Sequence, residues 1–190
     1  LKDEAGQMTL QAQTQGGPID LLVCDYKNGA LRGYVQFDAD LLAETPADPT
    51  LFALFGTGYL AITFDQALTG ERYQGIVPLE GASLADAAQT YFAQSEQIPS
   101  LVRLSFGRDA DGRAVAGGIL LQHLPEGEEG RERLHTRLDH PEWTHVETLG
   151  RTVRDAELTD PALPMETLVW RLFHDEGDVR VLGGATLARG

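Results

Sequence analysis

Cysteine is nearly missing from this chain: Cys24 stands alone among 190 residues. That excludes an intramolecular disulfide framework and a cysteine-based zinc cluster within these residues. Basic residues are also scarce, 15 against 29 acidic ones, for a net charge of −14. Such a field repels phosphate backbones and anionic lipid, so neither nucleic acid nor a membrane surface is an expected partner. No apolar run approaches the roughly 20 residues that a bilayer-spanning helix needs. No secretory signal is visible either, and the expected compartment is the cytoplasm. Enzyme motifs are missing: there is no Gly-x-Ser-x-Gly elbow, and nothing marks Cys24 as a nucleophile. Carboxylate pairs abound, but in so acidic a chain they carry little information. No catalytic residue is assigned, and Cys24, in the middle of a strand with no cationic neighbour, reads as a buried structural thiol.

Two patterns suggest chemistry and fail on spacing. Gly56-Thr57-Gly58-Tyr59-Leu60-Ala61 fits a dinucleotide fingerprint, which works only when a helix N-terminus follows to receive the pyrophosphate. Tyr59 to Phe64 is aromatic and β-branched instead, and reads as a strand. His135, His140 and His145 recur every five residues, whereas zinc ligands on a helix want a spacing of four. They read as solvated surface histidines, and no metal ligand is assigned.

What is present is a β-rich body. Met8, Leu10 and Ala12 alternate with polar neighbours, Ile19 to Tyr26 forms a second strand, and Asn28-Gly29 is a strong hairpin signal. A third strand places Leu31, Gly33, Val35 and Phe37 on one face, completing an antiparallel meander. Asp38 to Thr50 reads as a loop and Leu51 to Phe55 as one helical turn. Within Gly70 to Gly81, Tyr73 to Val77 reads as a short strand ended by Pro78 and Gly81. After it comes the best helix in the sequence, from Ser83 to Glu96. Ser83 and Asp86 form a capping-box pattern, and Leu84, Ala87, Ala88, Tyr91 and Phe92 share one face, which predicts burial between β layers. Leu101 to Phe106 and Ala114 to Leu124 bracket a turn. Ala114 to Leu121 is apolar on both faces, as in a central strand covered on each side, and Gly117-Gly118 predicts a bulge or a close backbone approach.

From Glu126 the composition shifts to a charged connector, Glu126 to Arg133. Trp143, Val146, Leu149 and Val153 then recur at helical spacing, although Gly150 weakens that helix by ~1 kcal/mol relative to alanine. Pro164 can serve as the first residue of a last helix, whose face carries Leu168, Val169, Leu172 and Phe173. The predicted organisation is a body over residues 1–125 and a connector with a helical linker over residues 126–190. Large apolar residues on short, interrupted helices must either dock or be exposed. Exposed apolar area is buried by a partner at about 25 cal/mol/Å². These eight residues, Trp143, Val146, Leu149, Val153, Leu168, Val169, Leu172 and Phe173, are therefore the candidate binding set.

The block Gly70-Glu-Arg-Tyr-Gln-Gly75, with Leu79-Glu80-Gly81, Tyr91-Phe92, Ser95-Glu96-Gln97 and Pro99, resembles the heat-shock protein 33 family of redox-regulated holdase chaperones. So do Leu31-Arg32-Gly33, Gly56-Thr57-Gly58-Tyr59, Ala116-Gly117-Gly118 with Leu120-Leu121-Gln122, and Trp170-Arg171-Leu172 with His174. The matches run in order from about Met8 to about His174. The resemblance implies an α+β body in which two β-sheets enclose helical material, followed by a linker of helices. It also implies a C-terminal zinc module whose oxidation releases the metal, unfolds the linker and exposes client-binding surface. The implied partners are unfolded or partly folded client proteins and, in a homodimer, a second copy. The zinc cysteines would lie beyond Gly190, so this chain is expected to be a fragment that holds no cofactor itself and lacks the family's opening elements. Two other classes stay open on the residues alone: a constitutive protein-interaction module, and a small-molecule binder or enzyme on an α+β body.

Overall fold

A computed structural model describes residues 6–66, 70–124 and 140–176. Its contacts divide the chain into two compact units, residues 1–95 and residues 96–186, each taken by itself below. The contacts group the hairpin of residues 100–122 with the helices that follow it, because those helices bury their apolar residues on it.

The first unit is a five-stranded antiparallel sheet with short helices. Its strands are β1 (Gln7–Gly16), β2 (Ile19–Lys27), β3 (Ala30–Phe37), β4 (Gly56–Asp65) and β5 (Arg72–Pro78), in the spatial order β3-β2-β1-β4-β5. The predicted meander is present. Asn28 and Gly29 both adopt positive φ, 50° and 77°, as the tight turn between β2 and β3 requires. The stretch expected to be a loop after β3 contains a short helix, α1 (Ala39–Ala43). Asp38 caps it by accepting from the Asp40 and Leu41 amides at 2.9 and 3.0 Å. The predicted turn at Leu51 is α2 (Leu51–Phe55), and β4 runs straight through the glycine-rich stretch, so no helix receives a phosphate there.

Side-chain alternation aligns apolar residues across the sheet. One cross-strand row reads Val35, Leu22, Ala12, Leu60 and Val77, and the next Gly33, Cys24, Leu10, Ile62 and Gly75. Helix α3 (Leu84–Gln94) lies over the β4–β5 end of this face and α2 over β1, β2 and β4. Ala12, Leu60, Ile62, Val77, Ala87 and Tyr91 are fully buried there, with Leu51 and Phe55 beside them. The capping box of α3 is formed: Ser83 Oγ accepts from the Asp86 amide at 3.2 Å, and Asp86 accepts from the Ser83 amide at 3.0 Å. Ala87 and Tyr91 are buried, and Leu84, Ala88 and Phe92 are half-buried against the same core. Burial fades along the rows toward β3. Cys24 is consequently half-buried and not, as expected, fully buried.

The second unit is a two-stranded antiparallel sheet, β6 (Ser100–Arg108) and β7 (Ala114–Gln122), with α4 (Pro141–Arg151), α5 (Asp155–Thr159) and α6 (Met165–Phe173). The two units together are α+β, with two antiparallel sheets and several helices. The expectation that β7 is a central strand covered on both faces is corrected. It pairs only with β6 among the described residues, and on the outer face of the hairpin Leu120 of β7 and Leu104 and Phe106 of β6 are exposed. No described helix is long and apolar enough to cross a membrane.

Candidate functional site

The covered face of the β6–β7 hairpin is where the linker residues gather. Register pairs Leu101 with Leu121, Arg103 with Ile119, and Ser105 with Gly117 on that face. Two glycines let the helices come down onto it. A Cβ on Gly117 would stand 1.7 Å from the carbonyl oxygen of Leu158, so α5 rests on bare backbone. The predicted close approach at Gly117-Gly118 is therefore real, and its partner is α5. On α4, a Cβ at Gly150 would meet Leu121 and Leu101 side-chain carbons at 2.5 and 2.6 Å. Gly150, read from the sequence as a weakness in a helix, is the point at which α4 touches the hairpin. Its propensity cost is offset by contact that no other residue permits.

The eight candidate residues separate into three groups. Val153, Leu168 and Leu172 are buried in one cluster with Leu158, and Phe173, Ile119 and Leu163 pack against it. Trp143 is buried apart from them in the first turn of α4. Its ring plane lies within 3° of that of His123, at 6.1 Å between centroids. Val146, Leu149 and Val169 are half-buried. The linker is thus docked throughout its described part. Trp170, off the predicted stripe, is exposed and stacks on His174 at 4.6 Å.

Polar groups lock the same module, and the sequence reading did not find them. Arg103 reaches from β6 to two helices: its Nη2 donates to Asp155 Oδ1 at 3.0 Å, and its Nη1 lies 3.5 Å from the Arg151 carbonyl oxygen. A cation at the last carbonyls of α4 also complements that helix's dipole. Glu157 joins α5 to α6. It accepts from the Arg154 amide at 2.8 Å, from Arg154 Nε at 3.3 Å and from Arg171 Nε at 3.0 Å. The side-chain hydrogen bond from Arg154, aided by its backbone amide and by the charge of Arg171, holds the Glu157 carboxyl below its ordinary value. The signal available for Arg103 was a cation at an apolar-face position of a strand. For Glu157 it was a carboxylate three residues past the N-cap Arg154 of a five-residue helix, too short a helix to show periodicity.

The first turn of α4 is the weak end of the module. His140 caps the helix without a side-chain hydrogen bond. The Nδ1 atoms of His123 and His140, whose rings are 5.1 Å apart, are buried and make no hydrogen bond among the described residues, with His140 Nδ1 3.9 Å from Glu142 Oε2. A buried polar atom left unsatisfied costs about 1–3 kcal/mol. The linker therefore docks with good packing at α5 and α6 and with unmet polar groups where it begins.

Of the three histidines considered for a metal, His140 and His145 are in view, and His145 Nε2 is paired with Glu176 Oε1 at 2.8 Å. His135, like the charged connector Glu126 to Arg133, lies outside the described residues. No group of three or more His, Cys, Asp or Glu side chains among the described residues could hold a metal.

Comparison with known proteins agrees with this geometry. The chain is 41% identical over 184 residues to the 33 kDa chaperonin of Caulobacter vibrioides, covering 93% of this chain and 58% of that relative. It is 38% identical over 172 residues to the 33 kDa chaperonin of Cronobacter sakazakii, covering 90% and 53%. The chain thus spans little more than half the length of these relatives. A crystal structure of the 33 kDa chaperonin (heat shock protein 33 homolog) of Thermotoga maritima superposes with a TM-score of 0.65 at 25% identity, covering 90% of this chain and 55% of that one. The model of the Hsp33 protein family matches residues 1–189, and the chain belongs to that family.

Proposed function

We propose that this chain is the client-holding part of a molecular chaperone, a holdase that binds unfolding proteins by apolar surface and prevents their aggregation without catalysing a reaction. One observation carries the reading. Val153, Leu158, Leu168 and Leu172 are buried on a hairpin that has two strands among the described residues, and the helix leading into them starts without a side-chain cap hydrogen bond. Docked and released states that differ by a few kcal/mol make a switch. Release of α4 to α6 bares both the linker stripe and the hairpin face beneath it, and non-directional burial then captures a client. Redox regulation, in this reading, belongs to cysteines outside residues 1–190, and the cytoplasm and a homodimer are part of the same proposal.

The test is light scattering of an aggregating client with the wild-type chain and with Leu168→Ser combined with Leu172→Ser. The double substitution weakens docking, so suppression of aggregation should rise under reducing conditions and stay unchanged on adding peroxide. Suppression that falls or stays level in the double variant overturns the release mechanism. A second reading, a constitutive interaction module, has its own support: Leu104, Phe106 and Leu120 are exposed while the helices are docked. Leu104→Ser with Phe106→Ser separates the two, since it abolishes binding only if that outer face is the binding surface.

A further inference from the structure

The five-stranded sheet leaves one edge open, together with one end of its apolar face. Among the described residues β3 pairs with β2 and with no other strand, and every one of its residues is exposed. Edge strands are ordinarily blunted by lysine, by proline or by a bulge that twists them away. β3 has a single charged residue, Arg32, and no proline, and the register shift between β2 and β3 falls at Asp20 on β2, leaving β3 itself extended. Leu31 and Val35 prolong the apolar rows onto this edge, and next to them Leu22, Cys24 and Tyr26 are half-buried. α2 and α3 pack on β1, β2, β4 and β5 and do not cover β3.

Charge is distributed unevenly along the edge. At the Phe37 end stand Asp20, Asp38, Asp40 and Glu44, all exposed. At the other end are Lys27 and Arg32, with Asp25 directly across from Arg32. We propose that β3 is a docking edge for an extended, alternately apolar segment of another polypeptide that carries basic residues on its N-terminal flank. Antiparallel pairing is the more stable arrangement and brings the N-terminal flank of an incoming strand to the acidic Phe37 end. Main-chain hydrogen bonds to the open edge supply affinity. Apolar side chains of the segment continue the rows past Leu31 and Val35, covering Leu22, Cys24 and Tyr26. A second copy of this chain is the poorer occupant, because each copy carries a net charge of −14. The inference deepens the chaperone reading by naming a class of client segment, and it rests on that reading only for the source of such segments.

The experiment titrates the chain with fluorescent peptides of alternating valine and threonine. One peptide bears lysines at its N-terminus, another bears glutamates there. The lysine peptide should bind about fivefold or more tightly than the glutamate peptide, a preference worth the combined effect of a few exposed charges. Salt should erase that preference. N-methylating alternate amides in one phase should abolish binding, and in the other phase should leave it intact. Leu31→Lys with Val35→Lys, both at exposed positions, should lose the peptide while circular dichroism stays unchanged. Asp20→Asn with Asp40→Asn and Glu44→Gln, which spares the Asp38 cap, should equalise the two peptides. Equal binding of both peptides to the wild-type chain, or indifference to both methylation phases, overturns the proposal. So does self-association in sedimentation that the same β3 substitutions abolish, since the occupant is then a second copy. A chain that suppresses client aggregation yet ignores the peptides has kept the chaperone reading and lost this one.

Discussion

Both units lay a helix on bare strand backbone, and they differ in what surrounds the contact. In the first, the Tyr91 ring of α3 crosses Gly75 of β5, where a Cβ would come within 2.4 Å of the ring. That contact sits over five strands, and a complete capping box starts the helix. In the second, Leu158 crosses Gly117 of β7, over two strands, and α4 and α6 begin without a side-chain cap. A two-stranded hairpin is marginal without a packing partner, and helices of 11, 5 and 9 residues are marginal alone. Each half of the second unit therefore depends on the other. The same packing device is structural where the sheet is independent, and conditional where it is not.

The comparison breaks most visibly at the two buried anchors. Tyr91→Ala should cost the first unit about 3–5 kcal/mol, and Leu168→Ala should cost the second about 2–5 kcal/mol. The difference lies in how the losses appear. Both tryptophans, Trp143 and Trp170, belong to the second unit, so tryptophan fluorescence reads that unit alone. Leu168→Ala should expose Trp143 at denaturant concentrations where hydrogen exchange still protects β1 and β4. Simultaneous loss of both signals would show that the linker is no separate module. A smaller effect compares the glycines: Gly117→Ala and Gly75→Ala should each cost about 1–3 kcal/mol by overpacking. Gly117→Ala should be the worse, because it strikes the backbone carbonyl of Leu158, whereas the nearest atoms at Gly75 are side-chain atoms of Tyr91 and Ser95. Thermal melts followed by far-ultraviolet dichroism rank the pair, and the reverse order would mean that α5 can lift off at little cost.

How much of this was legible follows from how local each signal is. Asn28-Gly29 and the Ser83–Asp86 capping box were readable because their partners lie within a few residues. The face of α3 was readable because three turns suffice to show a period. Helix α5 was not, since five residues hold one buried apolar side chain, Leu158, and no repeat. Gly150 was misjudged because propensity is local, while its contact with Leu101 and Leu121 joins segments far apart in sequence. The doubly apolar β7 reads from sequence as a central strand on the same kind of ground. Apolar side chains on both faces show what could be covered, and only the fold shows that the outer face, with Phe106 at 89% exposure, is not. The eight linker residues were found as large apolar positions at helical spacing. Their division between Trp143 and the Val153 cluster depends on His123 and Leu158, which belong to no shared motif.

The smallest expected effect sharpens the comparison through acid. In each unit arginine holds a carboxylate below its ordinary value, Asp65 in the first and Glu157 in the second. Asp65 accepts from Arg72 in a two-point pair, with Nε at 2.5 Å and Nη2 at 3.1 Å, and that hydrogen bond is the chief cause. Glu157 is held by Arg154 first and by Arg171 as well. For a carboxylate depressed on folding, the contribution to stability is complete above its unfolded value, about 3.9 for Asp and 4.3 for Glu. It is lost as pH falls through the folded value, which lies lower. Both pairs therefore weaken only below about pH 4.3, and neither affects behaviour near neutrality. Their consequences differ by topology. Asp65 and Arg72 close neighbouring ends of β4 and β5, which the sheet ladder holds regardless. Glu157 joins α5 to α6, which have no ladder between them. Acid should thus move the tryptophan signal of the second unit while exchange-corrected protection of β4 and β5 persists. Glu157→Gln should flatten that acid response of the fluorescence and leave the first unit's response unchanged. If the acid response of the tryptophans survives Glu157→Gln in full, the link between α5 and α6 is apolar alone, and the weak point of the module is the first turn of α4.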